Sequence, residues 1–319
     1  MIIRDDLYLY IPTKLRRRKE MRIARYVHRG TESYGILQGD GMITDLLELA
    51  KIQGKTVPPN IDGLISQGSA AEGLVKDVLE GAPKSRKARF ILEGNAVKLK
   101  APVASPPKII CLGLNYRDHA EEAKIPLPDE PIIFMKPRTA IADPEEPVRK
   151  PSFVQRLDYE VELAAIIGKT GKNIPASKAH EHIFGYTVFD DISARDIQFK
   201  DGQWTRGKSF DTFAPYGPCI VTSEQIGDPN NLRLWTRVNG ETRQDSSTSR
   251  MVFNVYEIVH HLSRVMTLEP CDIIATGTPA GVAAFMKPKP RFLEPGDVVE
   301  VEVEDIGTLR NPITEDAAT

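Results

Sequence analysis

Short apolar stretches recur along the chain and are separated by turn signals. Between residues 21 and 100, the segments IARYV, SYGILQ and VKLK predict strands around one helix, AAEGLVKDVLEGA, whose leucines and valines recur at helical spacing. Later, DYEVELAAIIG, FGYTVFD and DVVEVEVED alternate with period two, and KTGKN, VNGE and EPGD supply turns. Because strands outnumber helices, the pattern predicts an α+β chain that is mostly β.

A proline-rich stretch divides this pattern in two. APVASPPK, residues 101–108, has three prolines, which disfavour both helix and central strand. We therefore predict a boundary there, with a small N-terminal α+β domain at 21–104 and a larger catalytic domain at 105–319. Residues 1–20 end in a basic run and precede the first clear strand, so they are interpreted as an N-terminal extension.

Composition excludes several classes of function. Lys and Arg number 42 against 44 for Asp and Glu, so the chain has no strong field for nucleic acid. No apolar run reaches the roughly 20 residues that span a bilayer, and no signal peptide is recognised. The three cysteines lie far apart in apolar stretches, as expected for core thiols in a reducing compartment. We expect a cytoplasmic protein that binds neither nucleic acid nor membrane.

Two glutamates stand out in the segment RLDYEVELAAIIG. Strand alternation places Glu160 and Glu162 on one face, and the apolar run that follows indicates a protein interior. Buried acids need a counter-charge, and oxygen ligands suit Mg²⁺, Mn²⁺ or Ca²⁺. Asp191, at the end of another apolar strand, is the best third ligand, with Asp190 on the opposite face. The alternatives are a solvated strand face or pairing with Arg195 and Lys208.

A histidine and a glutamate in NYRDHAEE form a candidate general base. Asn115 stands where a helix N-cap belongs, so His119 and Glu122 are i and i+3 on one helix face. The carboxylate could then accept a hydrogen bond from the imidazole and raise its basicity, so that the other nitrogen takes a proton from water. The alternative is a salt bridge on a charged helix surface.

Two loops carry candidate substrate contacts. In GQWTRGKSFDTFAP, Trp204 and Phe210 flank Arg206 and Lys208, and an ammonium on such a loop could pair with a substrate carboxylate or an enolate oxygen. The alternative is two exposed cations. In TGTPAGV, backbone amides and the Thr278 hydroxyl could hold a carboxylate. The same residues could also form a simple turn.

Five motifs in order resemble the fumarylacetoacetate hydrolase family over roughly residues 105 to 313. They are NYRDHAEE, LDYEVELAAIIGK, FDDISARDIQ, GQWTRGKSFDTFAPYGP and TGTPAGV. The resemblance implies the family's mixed β-roll catalytic fold, a homodimer, and Mg²⁺ or Mn²⁺ on the acidic triad, with Ca²⁺ as a substitute in crystals. It also implies a small 2-oxo acid as substrate.

The resemblance also assigns roles to individual residues. It implies metal ligation by Glu160, Glu162 and Asp191. Its water-activating pair matches His119 and Glu122, and Lys208, which we predict to be catalytic, matches a position that lines the family's substrate pocket. Positions that contact substrate match Tyr116, Arg195, Gln198 and Thr278. Asp190 departs from the pattern, because many members carry Asn before the metal-binding Asp.

We expect a metal-dependent hydrolase that cleaves a carbon–carbon bond in a 2,4-dioxo acid of the acylpyruvate or fumarylpyruvate type. Lys208 and the metal would stabilise an enolate while the His119/Glu122 pair activates water. The first alternative is a decarboxylase or isomerase that uses the same site for a 2-oxo or 2-hydroxymuconate-type acid. The second alternative is a non-catalytic metal-binding protein, because a fold alone does not fix a function.

Overall fold

The computed structural model describes residues 21–82 and 89–316, so the predicted extension at 1–20 lies outside the described residues. Strands dominate the described part of the chain. In order they are β1 (Arg22–His28), β2 (Thr31–Leu37), β3 (Ile43–Asp45), β4 (Ile91–Leu92), β5 (Lys98–Lys100), β6 (Ile109–Gly113), β7 (Ile132–Lys136), β8 (Ile141–Ala142), β9 (Val148–Lys150), β10 (Leu157–Asp158), β11 (Val161–Ile167), β12 (Ile183–Asp190), β13 (Ser193–Ala194), β14 (Ala214–Thr222), β15 (Arg233–Val238), β16 (Glu241–Ser247), β17 (Ile273–Ala275), β18 (Val298–Val303) and β19 (Gly307–Glu315).

The α-helices are fewer and shorter. They are α1 (Leu46–Gln53), α2 (Ile61–Ile65), α3 (Ala70–Glu80), α4 (Arg117–Ala123), α5 (Arg195–Gln198) and α6 (Val255–Val265). Helix α6 begins with a capping box, in which the side chains of Asn254 and Glu257 each accept a backbone N–H of the other. Helix α3 buries Ala71, Val75 and Val78, as its helical spacing predicts.

One large sheet passes through most of the molecule. Its order is β4-β3-β2-β1-β14-β12-β11-β17-β6-β7, with β5 beside β1 and β8 beside β14. A five-stranded sheet has the order β16-β15-β18-β19-β9, and β10 pairs with β13. Strand β1 pairs directly with β14, so the sheet continues across the proline-rich stretch. The domain boundary predicted at 101–108 stays a prediction.

Strands β11 and β12 lie at the centre of the core. Every residue of both strands is buried, because other elements cover both faces of the sheet. They pair antiparallel from Val161 opposite Asp190 to Ile167 opposite Ile183. This register places the beginning of β11 beside the end of β12, where the predicted acidic residues lie.

The structure confirms the predicted fold class. The predicted strands correspond to β1, β2, β5, β11, β12 and β18, and the predicted helix corresponds to α3. Cys111, Cys219 and Cys271 are buried, as expected for core thiols. No described helix has both the length and the apolar character needed to cross a bilayer.

The prediction that Asn115 caps helix α4 is wrong, because Tyr116 is the N-cap residue. The Asn115 side chain instead binds backbone groups of distant segments. Its amide nitrogen donates to the carbonyls of Phe253 and Thr276, at 3.1 and 2.8 Å. Its oxygen accepts the N–H of Phe253 at 2.9 Å. Asn115 therefore joins the start of α4 to the segments before α6 and after β17.

Candidate active site

Three acidic side chains converge where β11 begins and β12 ends. Glu160 precedes β11, Glu162 is its second residue, and Asp191 follows β12. One carboxylate oxygen from each lies within 4.8 Å of the other two. All three side chains are buried, so the alternative of a solvated strand face is wrong. The convergence expected from strand alternation is present.

Two buried lysines contact this acidic triad. Lys208 Nζ donates to Glu160 Oε2 at 2.8 Å, to Asp191 Oδ2 at 2.7 Å and to Ser193 Oγ at 2.8 Å. Lys136 Nζ lies 2.6 Å from Asp191 Oδ1. The alternative in which Lys208 pairs with the acids is therefore realised in the structure. The same ammonium also borders the adjacent cavity.

Arg195 connects the triad to a further buried acid. Its Nε donates to Asp158 Oδ2 at 2.8 Å, and its Nη2 lies 2.6 Å from Glu160 Oε1. Its Nη1 donates to Gln198 Oε1 at 3.0 Å, one turn along α5. Such charge-assisted bonds hold the guanidinium plane in one orientation. Arg195 and Gln198 are therefore held in a fixed position relative to each other.

Burial and neighbouring charges shift the pKa values of Glu160 and Glu162 in opposite directions. Burial alone would raise the pKa of Glu160, but the positive charges of Arg195 and Lys208 outweigh it and lower the pKa to about 2. For Glu162, burial and the negative charges of Asp191 and Glu160 raise the pKa well above its usual range. Glu162 is thus the triad member that most needs an additional positive charge.

The donor set fits a hard divalent cation. Glu162 Oε2 accepts the N–H of Gly277 at 2.8 Å, whereas Oε1 is buried without a hydrogen-bond partner among the described residues. A buried oxygen with no donor is costly, and three carboxylates suit Mg²⁺ or Mn²⁺. Asp190 lies outside the triad, because its Oδ1 accepts the N–H of Glu160 at 2.9 Å. Burial raises the pKa of Asp190 to about 7.

A cavity of about 190 Å³ opens beside the triad. Its polar end contains Glu160, Arg195, Lys208, His119, Gln198 and Thr278. The remaining wall is mostly apolar and comprises Leu112, Gly113, Leu114, Ala123, Ile125, Phe134, Phe199, Trp204 and Phe285. A cleft of about 440 Å³ lies elsewhere, beside α3, but the acidic triad does not line it. We therefore place the candidate active site in the smaller cavity.

The predicted His119/Glu122 pair is close but not hydrogen-bonded. Its Nδ1 and Oε2 atoms are 3.7 Å apart, and Nδ1 is buried without a partner among the described residues. Both oxygens of Glu122 instead lie 3.2 Å from the backbone nitrogen of Gly281, which donates to them. The His119 ring lies against Phe285, with centroids 5.8 Å apart. The imidazole borders the cavity, while Glu122 is held by the Gly281 loop.

Other predicted site residues differ in position. Thr278 lines the cavity, whereas Tyr116 is fully buried in the core and is absent from the described lining. Tyr116 has extended backbone just before α4, and its side chain belongs to the main apolar cluster. The geometry therefore does not support its predicted substrate contact. Arg206, the other cation of the loop, is exposed and pairs with Asp201.

The loop 277–285 touches every part of the site. Its backbone N–H groups bind three acids, in the pairs Gly277 with Glu162, Gly281 with Glu122, and both Ala283 and Ala284 with Asp158. Gly277 has a positive φ of +95°, and a Cβ there would lie 2.9 Å from Asn115 Cβ. The loop therefore holds the strand of Glu162, the candidate base pair and the Asp158–Arg195 pair in one arrangement.

Trp204 closes the apolar side of the cavity by lying against Gly113. A Cβ on Gly113 would come 1.8 Å from Trp204 Cζ3, so the indole occupies the space that a side chain would need. The ring also meets Phe134 edge-on, with centroids 5.8 Å apart. Trp204 immediately precedes the 3₁₀ turn Thr205–Lys208. Its position therefore affects that of Lys208, the last residue of this turn.

Gly113→Ala is expected to displace Trp204 and lower kcat/KM by about 100-fold, because a shift of about 1 Å in site geometry can cost that much. The displacement can be measured as a change in tryptophan emission in a Trp235→Phe background, since the chain has two tryptophans. Gly202→Ala is the matched control, because a Cβ there meets nothing within 4 Å. Unchanged emission and unchanged kcat/KM in Gly113→Ala would contradict this role.

Sequence reasoning missed several residues of the site. The burial of Lys136 was predictable, because alternation along β7 places it with Phe134 on the buried side. Asp158 was also predictable, since it lies two residues before Glu160 in the same motif. No local pattern marked Gln244 as a residue near the site. Its partners come from strands and turns that only the folded chain brings together.

A family model described as fumarylacetoacetate (FAA) hydrolase C-terminal matches residues 108–314. The chain belongs to the fumarylacetoacetate hydrolase family. The match includes the acidic triad, the His119/Glu122 pair and the 277–285 loop, so the site described above lies within the family's domain. The family resemblance inferred from the five motifs is confirmed.

Relatives in the fumarylacetoacetate hydrolase family carry several enzyme names. The mitochondrial oxaloacetate tautomerase fahd2 of Xenopus laevis is 43% identical over 279 residues, covering 87% of this chain and 84% of the relative. The solved fumarylacetoacetate hydrolase of Exiguobacterium antarcticum has 37% identity and a TM-score of 0.77, covering 93% of this chain and 100% of that one. A 2-hydroxyhepta-2,4-diene-1,7-dioate isomerase from Mycobacterium marinum has 35% identity and a TM-score of 0.70, with the same coverages. Membership of an enzyme family is thus shown, whereas hydrolysis by this chain is not confirmed.

Proposed function

We propose that this protein is a divalent-metal-dependent enzyme that interconverts the keto and enol forms of a small 2-oxo acid, of which oxaloacetate is the first candidate. The observation that carries the proposal is the buried triad of Glu160, Glu162 and Asp191, of which Glu160 lines a small cavity. The names of the relatives support tautomerisation or isomerisation over the hydrolysis expected from the motifs.

The ion would be held by the triad, with Mg²⁺ and Mn²⁺ as the candidates. When bound, such an ion supplies Lewis-acid stabilisation for negative charge on the oxygens of a 2-oxo acid. Glu162 Oε1, which is buried without a protein donor among the described residues, is the oxygen most available to it. The homodimer implied by the family belongs to the same proposal, and the cytoplasmic location stays a prediction.

The chain's own cations stabilise the anionic substrate. Lys208 lines the cavity, and its ammonium donates to Glu160, Asp191 and Ser193, so its positive charge stabilises a substrate oxygen that gains charge during enolisation. The Arg195 guanidinium and the Gln198 amide form the neighbouring polar wall and orient the acid. Both cations are buried, so water competes weakly for the bonds that they make to substrate.

His119 is placed to move the proton. Because its Nδ1 faces Glu122, Nε2 is the nitrogen left to act on a bound acid in the cavity. Enolisation breaks the C3–H bond, its electron pair forms the C2=C3 bond, and the π electrons of C2=O move onto the oxygen, which takes up a proton from water. His119 accepts the C3 proton in this direction and returns it in the reverse direction.

The cavity's dimensions support a small substrate. About 190 Å³ accommodates a four-carbon acid, and side chains such as Leu114 and Ile125 form part of its apolar lining. Because Arg195 and Lys208 lie at the triad end, recognition of charge is concentrated there. A short substrate therefore keeps all its charged groups near these cations.

Hydrolysis of an acylpyruvate is the second candidate. The observation in its favour is the His119/Glu122 pair, whose 3.7 Å separation would need to close to orient the imidazole for water activation. Catalytic hydrogen bonds often tighten only when substrate binds. Decarboxylation would use the same polar end without water. A non-catalytic metal-binding role is disfavoured by a base and two cations that border a cavity.

Two substrates separate these reactions. Enol-oxaloacetate, acetylpyruvate and the purified full chain should be combined with Mg²⁺, with Mn²⁺ and with a chelator. We expect rapid, metal-dependent loss of enol absorbance with little pyruvate formed. Pyruvate and CO₂ from oxaloacetate would instead indicate decarboxylation, and pyruvate with acetate from acetylpyruvate would indicate hydrolysis. Enol decay at the same rate with and without protein would refute the proposal.

His119→Gln is expected to lower tautomerisation by about 10²- to 10⁴-fold, the usual contribution of a positioned acid or base. Mn²⁺ binding should be unchanged, because His119 is not a member of the triad. Calorimetric Mn²⁺ titration and the enol assay measure the two effects. His28→Gln is the matched control, because His28 is a half-buried histidine at the end of β1. A fully active His119→Gln variant would require a different proton carrier.

A further inference from the structure

The side-chain amide of Gln244, on β16, makes all the hydrogen bonds that it can within the protein. The side chain is 1% exposed. Its Oε1 accepts the N–H of Val161 at 3.0 Å and the hydroxyl of Thr236 at 2.7 Å. Its Nε2 donates to Thr278 Oγ1 at 2.8 Å and to the carbonyl of Pro279 at 3.0 Å. Two accepted and two donated bonds satisfy the whole amide group.

The orientation of this amide is fixed by the chemistry of its backbone partners. The N–H of Val161 can only donate, so an oxygen must face it. The carbonyl of Pro279 can only accept, so the amide nitrogen must face it. A flipped Gln244 would set donor against donor and acceptor against acceptor. Thr278 Oγ1, which shares the nitrogen side, therefore receives a hydrogen from Gln244.

This bond determines what the Thr278 hydroxyl can offer. A threonine hydroxyl has one hydrogen and two lone pairs. Because Oγ1 accepts from Gln244, its own hydrogen must point to another acceptor. No hydrogen bond donated by this hydroxyl occurs within the described residues. Thr278 lines the cavity together with Lys208 and Arg195, so the hydrogen is available to an anionic ligand there.

The same amide holds the strand that carries the metal ligands. Val161, whose N–H binds Gln244, stands between Glu160 and Glu162. One rigid planar group thus touches both the beginning of β11 and the turn that follows β17. The distance between the triad and the Thr278 hydroxyl is set through this group. Neither partner can shift without breaking a buried hydrogen bond.

We propose that Gln244 is a positioning residue that presents the Thr278 hydroxyl as a hydrogen-bond donor to the carboxylate of the bound 2-oxo acid. The inference rests on the proposed function, which supplies the class of ligand. Gln244 acts through Thr278 and does not touch substrate. Its effect is on the affinity and orientation of the acid, and the proton transfer remains with His119.

A double-mutant cycle tests this role in the full chain. Gln244→Leu, Thr278→Val and the double variant are compared by oxaloacetate KM and by calorimetric binding of oxalate in the presence of Mn²⁺. Each single substitution should weaken oxalate binding and raise KM by about 10- to 100-fold, the effect of losing a hydrogen bond to a charged group. The double variant should be no weaker than Thr278→Val alone. Mn²⁺ affinity should fall much less than oxalate affinity, since a hydrophobic substitution at Gln244 leaves all triad ligands in place.

Matched variants separate this effect from simple damage to the fold. Thr236→Val removes one bond to Gln244 Oε1 but keeps both Nε2 donors, so oxalate binding should persist. Thr278→Ser retains a hydroxyl and should bind oxalate nearly as well as wild type. If Gln244→Leu does not fold, Gln244→Glu keeps the acceptor for Val161 and replaces the Nε2 donor by oxygen. It should lose oxalate affinity in the same way.

Several results would overturn the inference. Additive losses in the double variant would show that Gln244 does not act through Thr278. A fall in Mn²⁺ affinity equal to the fall in oxalate affinity would place its role in the Val161 strand. Failure of the wild-type chain to bind oxalate would also overturn it. Oxalate binding that depends on Gln244, without turnover of any tested 2-oxo acid, would refute only the proposed reaction.

Discussion

Glu162→Gln is expected to lower Mn²⁺ and Mg²⁺ affinity by more than about 100-fold, beyond the 10- to 100-fold typical of residues that only support a ligand. Tautomerase activity should be lost with the ion. The amide preserves the side chain's shape, and its oxygen can still accept the N–H of Gly277. The buried negative charge is removed, so the thermal stability measured without metal should not fall. Calorimetric titration and melting curves with and without Mn²⁺ measure these effects.

Asp190→Asn is the matched control for this substitution. Asp190 is a buried acid beside the triad, but it contributes no oxygen to it and binds the backbone N–H of Glu160. An asparagine oxygen can accept the same bond. Metal affinity should therefore stay close to that of wild type. Equal losses of metal affinity in Asp190→Asn and Glu162→Gln would contradict the assignment of the triad.

Lys208→Met is expected to lower kcat by about 10²- to 10³-fold, the effect of removing one donor that stabilises charge in the transition state. The substitution also removes a buried partner from Glu160 and Asp191. Breaking a buried ion pair in this way costs about 3–5 kcal/mol of folding free energy. Saturating Mn²⁺ should restore part of the stability but not kcat. Steady-state kinetics and denaturant unfolding, both with and without Mn²⁺, measure the two effects.

Lys136→Met separates catalysis from stability. Lys136 pairs with Asp191 and donates to the carbonyls of Ile192 and Phe213, but it is not among the cavity-lining residues described. Its replacement should lower the free energy of unfolding by an amount similar to Lys208→Met. With Mn²⁺ saturating, kcat should fall much less. Equal loss of kcat in the two variants would show that Lys208 has only a structural role.

Strand patterning made much of the fold predictable. Alternation and apolar runs identified β11 and β12, and the period of two placed Glu160 and Glu162 together. The helix α3 was equally clear, because its buried positions follow helical spacing. The pattern could not show that β1 pairs with β14, since partner strands leave no local signal about one another. The continuous large sheet therefore emerged only from the structure.

The sequence predicted which residues lie at the site better than it predicted their hydrogen-bond partners. Acids, His119, Lys208 and Thr278 all follow from local motifs. The partner of Glu122 does not, because Gly281 lies 159 residues further along the chain. Gln244 likewise reaches Val161 across 83 residues. Such bonds depend on strand register and loop path, which a sequence pattern does not determine.

The type of reaction was the property that the sequence predicted least well. Tautomerisation, decarboxylation and acylpyruvate hydrolysis all begin by stabilising charge on the oxygens of a 2-oxo acid, so they require similar residues at the triad. The hydrolase prediction followed from the His119/Glu122 pair in NYRDHAEE. In the structure that pair is 3.7 Å apart and Glu122 is engaged by Gly281.

The two ends of the cavity have different evolutionary freedom. The acids and cations at one end are tied to each other and to the 277–285 loop, so a change there disturbs several groups at once. At the other end, side chains such as Leu114, Ile125 and Phe199 line the same space without joining that network. Smaller side chains at these positions should lengthen the space available to a ligand while the connected acids and cations keep their bonds. The size of the accepted molecule can thus change independently of the groups that bind its charge.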